Sequence, residues 1–92
     1  MLARSDLAWA QTAAALARHR LDETATQLDA ALRLLDRAAH ATDWQSPAAD
    51  SHHCDIADLR GDVARLRGRV DELADTAAGV GVLLARLAER QP

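Results

Sequence analysis

The sequence predicts an all-α protein: an antiparallel helix-turn-helix hairpin that associates into a dimer or larger complex. Three observations carry this. Apolar residues recur at steps of three and four along almost the whole chain, a single proline-containing break lies near its middle, and the first half carries more apolar surface than one neighbouring helix covers. The 92 residues are read as a single helical-hairpin domain, 1–92.

The first helix is expected over about residues 5–42. Leu7, Ala14, Leu21, Leu28 and Leu35 are spaced by seven, with Ala10, Ala17, Thr24, Ala31 and Ala38 between them and Ala25, Leu32 and Ala39 one step round. This is the spacing of a helix with a buried seam. Ser5 is the expected N-cap, and Asp6 suits the positive end of the helix dipole.

The break is the stretch Asp43-Trp44-Gln45-Ser46-Pro47. Ser46 is a good N-cap, and Pro47 then takes the first helical position, where its missing N–H costs nothing. A connection over 42–46 is short, and short connections favour antiparallel neighbours. Trp44 is expected to close the end of the seam at the bend, its indole N–H capping exposed carbonyls of the first helix.

The second helix is expected over about 47–89. Ala49, His52, Ile56, Leu59, Val63, Leu66, Val70, Leu73, Ala77, Val80, Leu84 and Leu87 alternate steps of three and four. The hairpin seam is therefore expected to join Leu21, Leu28 and Leu35 to Ile56, Leu59, Val63, Leu66, Val70 and Leu73. Gly61 and Gly68 fall opposite that seam, and Gly79 and Gly81 are points where the helix bends or frays.

Leu2, Trp9 and Leu16 form an additional heptad row on the first helix, flanked by Ala13 and Leu34. With the chain reversed at Trp44, Trp9 comes level with about Val80, and Val82 and Leu83 lie off the second helix's seam. Leu2, Trp9, Leu16, Val80, Val82 and Leu83 are thus the expected partner interface at the open end, since an exposed apolar patch usually marks one.

Composition narrows the function classes. Hydrophobic content is 49%, but much of it is alanine, which gives a thin core that a partner would supplement. Net charge is −3 with acids and bases interleaved, which argues against a nucleic-acid interface. Asp55, Asp58, Asp62, Asp71, Glu72 and Asp75 lie between arginines and read as a solvated face with helix-spaced ion pairs. Cys54 is the sole cysteine, so no intrachain disulfide forms. No run approaches the length of a membrane span, and the opening residues lack a basic region followed by an apolar run, so no classical signal peptide is expected.

No enzyme, cofactor or metal is expected. Neighbouring His52, His53 and Cys54, with His40 before the bend, suggest a metal site by type alone. Consecutive helical residues point about 100° apart and do not converge on one ion. His52 is the member expected on the seam. The Gly79–Leu84 run lacks the lysine and preceding strand of a phosphate loop.

Two long helices, a bend at Trp44-Gln45-Ser46 followed by Pro47-Ala48-Ala49-Asp50, and this length resemble the WXG family of small type VII secretion substrates. The third motif position, usually glycine in the family, is Ser46. Where members often carry an aromatic eight residues after the motif tryptophan, this chain has His52. It also has no tyrosine, and so lacks the tyrosine-based export signal some members carry. The resemblance implies association into a four-helix bundle as a dimer, by pairing with itself or with a paralogous hairpin, a larger secreted effector as a further partner, and export of the folded pair by a signal-peptide-independent route. The other reading is a cytoplasmic coiled-coil adaptor or assembly subunit with no export role.

Overall fold

A computed structural model describes residues 3–41 and 47–90 of the chain. Within them α1 spans Arg4–Ala41 and α2 spans Pro47–Glu89, 38 and 43 residues long. The two helices pack side by side as a hairpin 71 × 14 × 14 Å in extent. Leu2, Trp44 and Ser46, which the sequence assigns to the interface and the bend, lie outside the described residues.

Each helix end has a local cause. α1 starts before Ser5, because the Ala3 carbonyl accepts the first helical bond from the Leu7 N–H at 3.0 Å. Ser5 is therefore inside the first turn instead of capping it. Asp6 sits in that turn, where its charge meets the helix dipole favourably. Pro47 is the first residue of α2, the position its fixed φ favours. At the far end the Arg90 N–H reaches the Leu87 carbonyl at 3.2 Å and closes α2 with a tighter turn.

The interface between the helices is thin. Among the described residues, the buried apolar side chains are Leu7, Ala49, Ile56 and Val70, and no side chain is fully buried. His53 is buried as well, 8% exposed. Leu21, Leu28 and Leu35 on α1 and Val63 on α2 are half-buried. The accessible surface is 6922 Å². A compact monomer of this 9.9 kDa mass would expose about 5,200 Å². The hairpin leaves about a third more surface in water than a folded chain of its size normally does.

None of the four glycines has a left-handed backbone, so each only weakens its helix. A Cβ built at Gly68, Gly79 or Gly81 meets nothing within 4 Å, and one at Gly61 meets only the end of the Arg65 side chain at 3.5 Å. Gly68 is exposed in the middle of α2. Gly68→Ala should therefore stabilise the protein by about 1 kcal/mol, the propensity difference between the two residues. Thermal unfolding checks this: the midpoint should rise by several degrees, and an unchanged or lowered midpoint would mean that the glycine serves a close contact.

Candidate interaction surface

The rotation of α2 about its own axis decides which residues face outward. The half-buried and buried positions of α2 include Ala49, His53, Ile56, Val63, Arg67, Val70, Ala74, Ala77, Gly81, Leu84 and Ala88. They alternate steps of four and three along two rows. One row, Ala49 to Leu84, is the expected one. The other runs through His53, Arg67, Ala74, Gly81 and Ala88, with the exposed Arg60 between the first two, not through His52, Leu59, Leu66, Leu73, Val80 and Leu87. On α1 the corresponding rows are Leu7, Ala14, Leu21, Leu28, Leu35 and Gln11, Arg18, Ala25, Leu32, Ala39.

The expected seam is therefore corrected at one of its two rows on α2. Ile56, Val63 and Val70 face α1. Leu59, Leu66 and Leu73 do not: with Val80 and Leu87 they are between 41% and 56% exposed. His52 is exposed and His53 takes the seam position assigned to it. The helix has turned by about 50°, half of one residue's angular step.

Charge and size together explain the turn. Arg60 Nε donates to Asp36 Oδ1 at 2.7 Å, and Arg67 Nε donates to Asp29 Oδ1 at 2.9 Å. Asp29 and Asp36 are one heptad apart on α1, and Arg60 and Arg67 are one heptad apart on α2, so one rotation and one register satisfy both pairs. Arg67 is part-buried, its stem lying along the seam while its head reaches the carboxylate. It also pairs with Asp71 on its own helix. The hydrogen bond to Asp29, then that to Asp71, raises the Arg67 guanidinium pKa above its ordinary value, so the charge is held throughout the accessible pH range. Farther along, Ala74 and Ala88 continue this row with side chains small enough to face the alanine-rich α1. A seam built on Leu66 and Leu73 would leave both arginines away from these acids.

These ion pairs lie on one side of the hairpin. On that side a shallow groove lined by Gln11, Ala14, Ala15, Arg18, Ala78, Gly81, Val82 and Ala85 runs along the open end. The opposite side carries Leu59, Leu66, Leu73, Val80 and Leu87, spaced by seven. Beside them on α1, by helical geometry and the register of the ion pairs, run Ala38, Ala31, Thr24, Ala17 and Ala10. This leucine face is the candidate functional site.

The expected interface cluster is divided by this geometry. Val80 belongs to the leucine face, whereas Val82 lines the groove on the other side. Trp9 is 74% exposed, and Leu16, Leu83 and Leu34 are also exposed. The observed register places Trp9 level with Leu87 instead of Val80, about two turns further along α2 than a reversal centred on Trp44 gives. Trp9 and Leu16 point away from α2, each two residues on from a seam position (Leu7 and Ala14).

Among the described residues, no group of three or more His, Cys, Asp or Glu side chains is placed to hold a metal ion. Cys54 is exposed while His53 is buried, so these neighbours point apart. His19 pairs with Glu23 along α1 at 2.8 Å. No described helix is long and apolar enough to cross a membrane.

The fold and this surface define a class: a two-helix hairpin with an uncovered apolar face. Comparison with protein-family models, curated proteins and solved structures finds no match for the chain.

The Arg67–Asp29 contact is open to a double-mutant cycle. Arg67→Ala and Asp29→Ala should each lower the thermal midpoint, with favourable coupling that shrinks between low and about 1 M salt. Strictly additive effects would mean that the pair does not set the rotation of α2.

Proposed function

We propose that the protein is a non-enzymatic binding subunit, which acts by laying its leucine face on another helical hairpin. The observation that carries this is the exposed heptad row Leu59, Leu66, Leu73, Val80 and Leu87. A regular row of large apolar residues along one side of a helix is the pattern of a helix that packs on another helix. The thin hairpin core supports the same reading, because association would remove apolar surface that the single chain leaves in water.

The more specific proposal is a type VII-like secretion substrate or secretion partner, made and folded in the cytoplasm and exported as a folded pair, with a paralogous hairpin or a larger secreted effector as its other candidate partners. It rests on the hairpin architecture together with the resemblance at Trp44-Gln45-Ser46. One observation favours a second reading, a cytoplasmic adaptor or assembly subunit: the chain has no tyrosine from which to build the export signal some family members use. In the secretion reading the partner supplies that signal, since a folded bundle presents the surfaces of both chains together.

Light scattering at micromolar concentration should give a mass above 9.9 kDa, and Leu66→Glu should move the species toward monomer. A monodisperse, cooperatively folded monomer at those concentrations, with no partner bound in its own host, would overturn the binding reading. Immunoblots of culture filtrate from the native host, with and without the type VII ATPase and with a cytosolic marker for lysis, separate the two destinations. Secretion predicts a filtrate signal that depends on the ATPase. Equal signals in both, or retention in the cell throughout, would overturn the type VII reading and favour the adaptor reading.

A further inference from the structure

We infer that the occupant of the leucine face is a second copy of this chain, seated with both bends at the same end of the assembly. This deepens, and rests on, the proposal that the face docks a helical hairpin. Two hairpins apposed through this face have two symmetric arrangements. If the two-fold axis runs parallel to the helices, the bends lie together and each α2 packs on the other copy's α1. If the axis runs across the helices, the bends lie at opposite ends, with α2 on α2 and α1 on α1.

Side-chain size separates the two. The face consists of a large row on α2 beside a small row on α1. In the same-end arrangement large meets small at every level: Leu66 of one copy lies over Ala31 of the other, and Val80 over Ala17. In the opposite-end arrangement Leu66 meets Val80 while Ala31 meets Ala17, so one helix pair is held apart and the other is left loose. Cores pack densely when large and small residues alternate across facing positions. The one polar member of the small row fits this scheme. Thr24 Oγ1 donates to the Arg20 carbonyl of its own helix at 2.9 Å, so its hydroxyl is satisfied before any partner arrives.

Charge and area agree. At the rim of the same-end arrangement Arg90 of one copy comes level with Asp6 of the other, and no like charges are placed opposite each other along that rim. The row from Leu59 to Leu87 is about 40 Å long at 1.5 Å per residue. Two helices about 10 Å apart make a face about 20 Å wide. That offers about 800 Å² per copy, which is what a stable interface of standard size takes from each partner. The arrangement is isologous: the ridge and the alanine row of each copy receive the alanine row and the ridge of the other.

Cys54 provides the test without any change of sequence. It is exposed and is the sole cysteine, it lies near the bend, and its row on α2 points away from the leucine face. A nitroxide on Cys54 in the full chain, measured by pulsed dipolar spectroscopy, should give one interlabel distance of about 20–35 Å, set by neighbouring helix spacings of about 10 Å. A distance beyond about 50 Å, close to the length between the two ends of α2, would overturn the same-end dimer while leaving the hairpin-docking reading intact. Light scattering of the unlabelled chain must show a dimer, and a monomer overturns self-pairing. The hairpin-docking reading is then judged separately, by whether a different hairpin protein binds and loses affinity with Leu66→Glu. Ala17→Glu, on the small row, should raise the dimer dissociation constant at least about tenfold, as Val80→Glu should on the ridge. If Ala17→Glu remains helical and dimerises like the parent, the alanine row is not the seat and the inference fails.

Discussion

The reach of Arg67 across the hairpin to Asp29, repeated one heptad away by Arg60 and Asp36, is the constraint on which the rest of the structure depends. It is modest as an energy, because these groups are largely in contact with water. Its consequence is geometric. Two pairs with the same heptad spacing accept a single register and a single rotation. That rotation turns the arginine row toward the acids of α1 and turns five large apolar residues outward. A charged contact on one side of the hairpin thus determines which apolar surface is offered on the other.

The same geometry links stability to association. On α2 the seam is lined mainly by alanine, arginine stems and a few branched residues, set against the leucines of α1, so the hairpin buries little of its own apolar surface. The leucines that would have thickened that seam are kept for the outer face. In such a chain the interface is a second layer of the core, and folding and partner binding draw on the same hydrophobic surface. The charged residues of α2 are divided accordingly. Arg67 and Asp71 pair on the ion-pair side, and Arg65 with Asp62 pair along the helix. The leucine row is left free of charge.

The fold was legible in the sequence because its signals are local and redundant. Heptad spacing marked both helices, and Pro47 marked the start of α2. The candidate surface was legible only in part. Leu59, Leu66 and Leu73 satisfy the seam pattern as well as any residues in the chain, and hydrophobicity alone selects them over Arg60, Arg67 and Ala74. An apolar stripe three rows wide does not say which two rows face the nearer helix. The missing signal was electrostatic: Asp29 and Asp36 on α1 match Arg60 and Arg67 on α2 in spacing and sign. Weighting that match above side-chain size would have placed His53 inward and Leu66 outward. It would also have set the register that moves Trp9 away from Val80.

The rotation of α2 is the central claim, and isotope-filtered NOE spectroscopy on a mixture of labelled and unlabelled chains tests it most directly. The methyl groups of Val63 and Val70 should show contacts to Leu28 and Leu35 within one chain. Those of Leu66 and Leu73 should show contacts to the Ala31 and Thr24 methyls of α1 between chains. Contacts from Leu66 and Leu73 to Leu28 and Leu35 within one chain, with Ala74 facing solvent, would contradict the account.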